Sequence, residues 1–366
     1  MTRDPQHIWF DDVARRTGFS GVDDFVRAFE LKPFRLKQIY RAAAKELLAG
    51  PGDVTTLPKD LRAALAAANF TFLSIEPVVI QRSGDAQTTK GLFKLGDGSE
   101  VEAVLMEHYG DRTTVCISSQ AGCAFACAFC STGQAGFTRN LTSAEIFDQA
   151  VFFARELALR GKKITNVVFM GMGEPFHNYE AVMGAVALLH DPYGLGLGHR
   201  HITISTVGLV DKIDRFADEG LQVNLAISLH APSDRVRNSI MPVNRKFDTQ
   251  ELMAACDRYV QKTNRKVFFE YVMLADVNDT DICAGELAQL MRGHLYHVNL
   301  IPYNSTPDAP FAGTPDDRIW KFAAILDAAK VPTTVRKNMG RDISAACGQL
   351  RAETQPKAHT VASVRT

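Results

Sequence analysis

Hydrophobic positions along this 366-residue chain fall into three successive regimes. From residue 8 to about 70 they recur at helical spacing. Phe10, Val13 and Phe19 make one apolar face and Phe25, Val26 and Phe29 the next; after Lys32-Pro33-Phe34-Arg35 come 39–48 and 61–68. Apolar residues every three or four positions predict amphipathic helices, hence a small helical domain over 1–72. Over 73–110 the pattern shortens to runs at 78–81, 88–95 and 101–106, broken by Ser83-Gly84-Asp85 and Gly96-Asp97-Gly98. Short runs punctuated by turn formers predict a β-hairpin connector.

The third regime, 111–350, alternates the two periods. Strand-like runs at 113–117, 166–169, 201–205, 222–229, 267–274 and 297–301, with a short one at 333–335, are separated by helical stretches near 143–159, 179–189, 210–219, 249–262, 282–292 and 316–329. The first helix opens with Thr142-Ser143-Ala144-Glu145, a capping-box pattern. Six successive βα units require a parallel sheet with right-handed crossovers, so the fold class is α/β, a full or partial barrel. Chemistry in such folds gathers on the loops after the strand C-termini. After Arg351 the sequence is polar and aperiodic, and 351–366 reads as a flexible tail.

Composition narrows the class. An apolar fraction of 46% supports an ordinary globular core, and a formal net charge of zero excludes a strongly basic, histone-like nucleic-acid binder. It leaves room for local basic patches: Lys32, Arg35, Lys37, Arg41 and Lys45 near the N-terminus, and Arg336, Lys337 and Arg341 near the C-terminus. No apolar run reaches the roughly 18 residues that span a bilayer, and Met-Thr-Arg-Asp-Pro-Gln lacks a signal-peptide core, so a cytoplasmic protein without membrane contact is expected. Seven cysteines, an odd number, fit reduced thiols and a metal cluster better than a disulfide framework.

Three of those cysteines carry the most specific signal, Cys123-x3-Cys127-x2-Cys130 within Gly-Cys-Ala-Phe-Ala-Cys-Ala-Phe-Cys. Three thiolates on one loop can ligate three irons of a cubane 4Fe-4S cluster and leave the fourth iron open. An electron-transfer cluster usually takes a fourth cysteine, and structural zinc usually completes its tetrahedron with a paired Cys or His motif. The chain offers neither completion, which favours an open iron over a zinc loop or three ordinary buried thiols. Beyond the predicted strand ends lie further candidates: Gly171-Met172-Gly173-Glu174-Pro175, Ser205, Ser228-Leu229-His230 and Asn304. Singly each reads as a turn or a cap; together, on one barrel face with a cysteine cluster, they point to a bound small molecule. Cys256 and Cys283 fall in predicted helices and read as packing residues.

The cysteine loop resembles that of the radical S-adenosylmethionine (SAM) superfamily. More specifically, the run from Cys116 to Cys123, Gly136-Phe137-Thr138-Arg139-Asn140-Leu141, the Gly171 to Pro175 turn, Ser228-Leu229-His230 and Asp342-Ile343-Ser344-Ala345-Ala346-Cys347-Gly348-Gln349-Leu350 are similar to the RlmN/Cfr family of RNA adenine methyltransferases. This resemblance implies a partial (β/α)6 radical-SAM barrel, a 4Fe-4S cluster on Cys123, Cys127 and Cys130, and two SAM molecules per turnover. It implies that Gly173, Glu174, Ser205, Ser228, Leu229, His230 and Asn304 contact SAM. It also implies that Cys347 carries the methyl group, that Cys116 resolves the intermediate to a disulfide, and that Glu102 accepts a proton, with Glu107 as the fallback. Carbon 2 of adenine is electron-poor and cannot attack a methyl sulfonium, so a radical route is required, and the resemblance implies that it runs through an S-methylcysteine intermediate.

The implied substrates are adenosine 2503 of 23S rRNA and adenosine 37 of tRNA, with flavodoxin or ferredoxin as electron donor and a monomeric enzyme. The N-terminal basic cluster is the expected grip on RNA. Carbon 2 is favoured over the carbon 8 attacked by Cfr-type relatives through Gly133-Gln134-Ala135-Gly136-Phe137. A non-catalytic iron-sulfur RNA-binding protein is the alternative of another class.

Overall fold

Apolar runs and turn formers place the strands, and the structure, a computed structural model, describes residues 4–305 and 309–351. Of the expected tail only Arg351 falls among them. The chain enters through helices α1 (Pro5–Arg16), α2 (Val22–Ala28), α3 (Pro33–Ala44) and α4 (Lys59–Ala67). The expected helix at 39–48 begins six residues earlier because Pro33 sits at its first position, where a missing N–H costs nothing. It stops short because Leu47 adopts a positive φ of 59°.

Antiparallel strands β1 (Glu76–Arg82), β2 (Thr88–Lys94) and β3 (Glu100–Glu107) follow, and β3 pairs antiparallel with β4 (Thr113–Cys116). The segment read as a connector therefore extends the sheet of the barrel. A small antiparallel hairpin, β5 (Gln120–Gly122) and β6 (Phe137–Asn140), brackets the cysteine loop and the one-turn helix α5 (Ser131–Gln134).

The barrel proper alternates strand and helix: α6 (Ser143–Ala158), β7 (Asn166–Phe169), α7 (Tyr179–His190), β8 (Ile202–Thr206), α8 (Val210–Asp218), β9 (Asn224–Ser228), α9 (Asp234–Ile240), α10 (Thr249–Thr263), β10 (Val267–Met273), α11 (Asp281–Met291), β11 (Tyr296–Pro302), α12 (Asp316–Ala328) and β12 (Thr333–Val335). The sheet runs β1-β2-β3-β4-β7-β8-β9-β10-β11-β12, parallel from β4 onward. That is the expected open barrel of six βα units with a short seventh strand. Thr142 and Glu145 form the predicted capping box, the Thr142 hydroxyl accepting from Glu145 N at 3.2 Å and the Glu145 carboxylate from Thr142 N at 2.9 Å.

One contiguous apolar core joins the N-terminal helices to the barrel. Trp9 of α1 donates to Asp148 of α6 at 3.4 Å, and the Ser74 amide and hydroxyl both bond the other Asp148 oxygen at 2.6 Å. Cys256 and Cys283 lie fully inside this core, as their helical settings predicted.

Candidate active site

Backbone geometry fixes the cysteine loop. Gly122 has φ 77°, and a Cβ there would overlap the Gly136 carbonyl oxygen, so only glycine lets the two turns of the β5–β6 hairpin close. Cys123 N then bonds Gly136 O at 2.7 Å, Cys130 N bonds Cys127 O at 3.1 Å, and Ala128 N reaches Ile240 O at the end of α9. The C-terminal loop is strapped onto the same element: Ser131 N donates to Gly348 O at 2.8 Å and the Thr132 hydroxyl to Leu350 O at 2.6 Å.

All three loop thiols open into one cavity of about 160 Å³, whose lining includes Gly173, Glu174, Ser205, Ser228, His230 and Cys347. Burial pushes the Cys123 thiol up to about 12 and Cys127 well above its ordinary value, and neighbouring thiols add to both shifts. Coordination has to displace the protons that burial retains, and a bound cation would turn the mutual repulsion of three crowded thiolates into attraction. Among the described residues no three His, Cys, Asp or Glu side chains are drawn in around a single ion. Among the described residues the one further cysteine that lines this cavity is Cys347, which faces a second cavity as well.

The polar groups opposite suit a zwitterion attached to a nucleoside. Gly173 has φ 99°, and a Cβ would stand 2.5 Å from the Gln120 Cβ, so the β7 loop passes hard against β5. Glu174 is 2% exposed; one carboxylate oxygen accepts from Phe176 N at 2.9 Å and the other from Val207 N at 2.8 Å. Burial nevertheless raises its pKa to about 7, the hydrogen bonds opposing. Ser205 and Ser228 stand 3.4 Å apart at the ends of β8 and β9. His230, at φ 58°, accepts from Val272 N through Nδ1 at 3.0 Å, which leaves Nε2 as the protonated nitrogen. Burial holds its pKa near 3, so the ring is a neutral donor.

Two predicted contacts stand outside this lining. Leu229 is buried, with its N–H bonded to Glu270 O at 3.2 Å, and Asn304 accepts from Arg341 at 2.7 Å.

A second cavity of about 480 Å³, called the outer cavity for the exposed Tyr109 in its lining, adjoins the first and is lined by Cys116, Val104, Met106, Asn299, Lys337 and again Cys347. Cys116 ends β4 opposite Val104 of β3. Burial raises its thiol to about 12, and Cys347 adds to the rise. Met170, Ile301, Arg336 and Cys347 border both cavities and form the partition between them. Neither cavity brings in Glu102 or Glu107. Glu102 is buried, paired with Lys90 at 2.9 Å and capped by Arg351 N at 2.9 Å. It shares the strand face of Val104 and Met106. Glu107 is held by Arg160 and Lys162, each at 2.6 Å, and these cations keep its carboxyl below the usual range.

Sequence reasoning missed four side chains here. Gln120 accepts from Glu174 N at 2.8 Å and donates to Asn140 at 2.7 Å, tying the glycine turn to the cysteine hairpin. Arg237 of α9 is 1% exposed and donates to Leu229 O, Val207 O, Ser228 O and Asn244 Oδ1, gathering the ends of β8 and β9. Glu270 and Arg336 meet at the partition. Only Glu270 carried a signal, as a lone carboxylate in the apolar run Val267-Phe268-Phe269-Glu270-Tyr271-Val272.

The mouth of the outer cavity is cationic and aromatic. Tyr109 is 81% exposed, Lys337 lies 5.3 Å from its ring centroid, and Arg112 borders the same opening. In the N-terminal cluster, Lys37 stacks 3.7 Å over Tyr193 and Lys45 donates to Pro192 O, contacts that leave both charges unneutralised, whereas Arg41 pairs with Glu46.

The Radical SAM superfamily pattern matches residues 117–284. A Chloroflexus aurantiacus protein named "Probable dual-specificity RNA methyltransferase RlmN" is 45% identical over 93% of each chain, and the Salinispora tropica protein of the same name is 47% identical over 96% of this chain and 94% of its own. The crystal structure of a radical SAM methyltransferase from Sphaerobacter thermophilus superimposes with a TM-score of 0.87 at 50% identity, covering 91% of this chain and 97% of that one. A cysteine loop, a largely apolar cavity that carries Glu174, Ser205, Ser228 and His230, and a thiol shared with a second cavity are thus found on a chain that belongs to the RlmN family of radical SAM methyltransferases.

Proposed function

We propose that this protein methylates carbon 2 of adenine in RNA, at adenosine 2503 of 23S rRNA and adenosine 37 of tRNA, by carrying the methyl group on Cys347. The observation that supports it best is the position of that thiol, which borders the cofactor cavity and the outer cavity at once. A carrier must receive its cargo on one side and deliver it on the other.

The 4Fe-4S cluster and SAM, when bound, supply the electron, the radical and the methyl group. The chain supplies the rest. Cys123, Cys127 and Cys130 hold the cluster. Gly173, Glu174, Ser205, Ser228, Leu229, His230 and Asn304 hold SAM by its amino, carboxylate and nucleoside groups. Cys347 carries the methyl group to the adenine admitted through the outer cavity. Cys116 then attacks the Cys347 sulfur to free the product, leaving a disulfide that external reductant must open. Glu102 takes the carbon-2 proton after the C-terminal strap shifts to uncover it; Glu107, locked by two cations, is a poor base. Residues 1–72 and the Tyr109–Lys337 rim grip the RNA, and the base must leave its stack to enter. The enzyme acts as a monomer in the cytoplasm, with flavodoxin or ferredoxin as electron donor. Among the described residues no helix is long and apolar enough to cross a membrane.

Anaerobic reconstitution with reductant, SAM and total RNA tests this reading. The expected products are 5′-deoxyadenosine and 2-methyladenosine in both RNA classes. 8-Methyladenosine as the main product would reassign the chain to carbon-8 chemistry, and absence of 5′-deoxyadenosine would make it a non-catalytic iron-sulfur RNA-binding protein.

A further inference from the structure

The partition between the two cavities contains a charged pair with no role in the scheme above. Arg336 follows β12 and hangs from the sheet through its own N–H to Leu300 O at 2.8 Å. One guanidinium nitrogen lies 3.4 Å from Glu270 Oε1 and another 3.8 Å from the Met170 sulfur, and Arg336 and Cys347 line both cavities together, close enough for the guanidinium to favour the Cys347 thiolate. Glu270, 3% exposed, has its Oε1 already taken by Asn299 Nδ2 at 2.9 Å, and its Oε2 has no hydrogen-bond partner among the described residues. The pair is therefore single and long, unlike the bidentate fork that arginine makes when it serves mainly to neutralise a carboxylate. The carboxylate therefore neutralises the guanidinium incompletely where Arg336 and Cys347 border the same two cavities.

We propose that Arg336 is a positioning residue for methyl transfer: its guanidinium stands beside Cys347 in the partition and stabilises the sulfur as it gives up its proton and attacks, and Glu270 orients that guanidinium while limiting its effect. The inference rests on the reading of Cys347 as methyl carrier. In the step concerned the thiol proton leaves through the outer cavity, a bond forms from the Cys347 sulfur to the methyl carbon of a sulfonium donor, and the methyl–sulfonium bond breaks with its electron pair passing to the donor sulfur. Nothing is oxidised or reduced. A guanidinium at the attacking sulfur favours the first event, because it stabilises the anion that the desolvated site opposes. The groups facing this sulfur are Arg336, Glu270 and Cys116, and desolvation raises the Cys347 thiol while Arg336 opposes the rise and Glu270 adds to it.

The two charges thus predict opposite effects, which a merely structural pair would not give. The full chain, reconstituted anaerobically with its cluster and without SAM, is first shown by mass to carry Cys347 as a free thiol. Iodoacetamide alkylation of Cys347 is then followed by peptide mass spectrometry across pH. Arg336→Met should slow alkylation about tenfold at neutral pH, equivalent to the thiol titrating about one unit higher. Arg336→Lys should recover part of the rate, and Glu270→Gln should exceed the wild type. An Arg336→Met protein with normal iron content and a wild-type profile overturns the inference. If that variant does not fold, Glu270→Gln decides alone: a rate equal to or below wild type overturns it. In parallel, wild-type protein given SAM is examined for S-methyl on Cys347. Its absence defeats the carrier reading itself, whereas its presence with unshifted variant profiles defeats only the role of Arg336.

Discussion

Cys116, at the end of β4, and Cys347, on the C-terminal strap, face one cavity as free thiols, and charge on Cys347 pushes the Cys116 thiol further up. The pair is far apart in sequence and is brought together because the strap, anchored at Ser131 and Thr132, also reaches β2 and β3, through Lys90 to Ser344 O and Arg351 N to Glu102, beside the end of β4. Cys347→Ala should retain the cluster, by iron content and absorbance, yet transfer no methyl group to RNA. Cys116→Ala should accumulate a covalent protein–RNA species visible on a denaturing gel, and recovery of free methylated RNA alone would contradict its role.

Gly173→Ala tests the cofactor turn. The new Cβ would lie 2.5 Å from the Gln120 Cβ and 2.8 Å from the Gln120 backbone N, at a φ of 99°. Strain and overlap together cost about 3 kcal/mol or more. We expect a lowered unfolding midpoint and SAM affinity reduced at least tenfold, read by equilibrium dialysis.

Glu174 gives a pH dependence with a definite sign. Its folded pKa, about 7, is raised by burial above the ordinary 4.5. Between those values the folded state keeps a proton that the unfolded chain has lost, so the contribution is fully present below pH 4.5 and is lost as pH rises through 7. The loss amounts to about 3 kcal/mol. Denaturant unfolding of the cluster-free chain across this window should show Glu174→Gln gaining relative to wild type by that amount. A constant difference between the two would contradict the buried, protonated carboxyl.

Arg237→Met leaves the carbonyls of Leu229, Val207 and Ser228 without their donor. Unsatisfied buried acceptors cost about 1–3 kcal/mol each before relaxation, so a loss of roughly 3 kcal/mol in unfolding free energy is expected, with weaker SAM binding because the ends of β8 and β9 are no longer gathered.

At the rim, Tyr109→Ala removes an exposed ring beside a cation. Stacking of a base on an aromatic is worth about 1–3 kcal/mol. The KM for RNA should rise about tenfold, while S-methylation of Cys347 without RNA proceeds at the wild-type rate; an unchanged KM places the RNA elsewhere.

The barrel was legible because its strands are continuous apolar runs between capped amphipathic helices, and all seven expected strands lie within two residues of their predicted ends. The hairpin of β5 and β6 was not, since Gln120-Ala121-Gly122 and Phe137-Thr138-Arg139-Asn140 are too short and polar to show a period. Arg237 is hidden for a different reason. Asp234-Arg235-Val236-Arg237-Asn238 reads as a surface helix, and only carbonyls from other strand ends turn one arginine inward. Likewise Arg336 reads as one of a basic trio with Lys337 and Arg341, and only the fold sets it in the partition. Motif residues on single loops were readable in sequence; charges that act between loops required the tertiary structure.

The central claim is that the methyl group passes through Cys347. Enzyme preloaded at Cys347 with a carbon-13 methyl group, freed of the labelled donor and given unlabelled SAM, reductant and RNA for a single turnover, measures this directly. The account predicts 2-methyladenosine bearing carbon-13. Unlabelled methyladenosine, with the label still on Cys347, would contradict it.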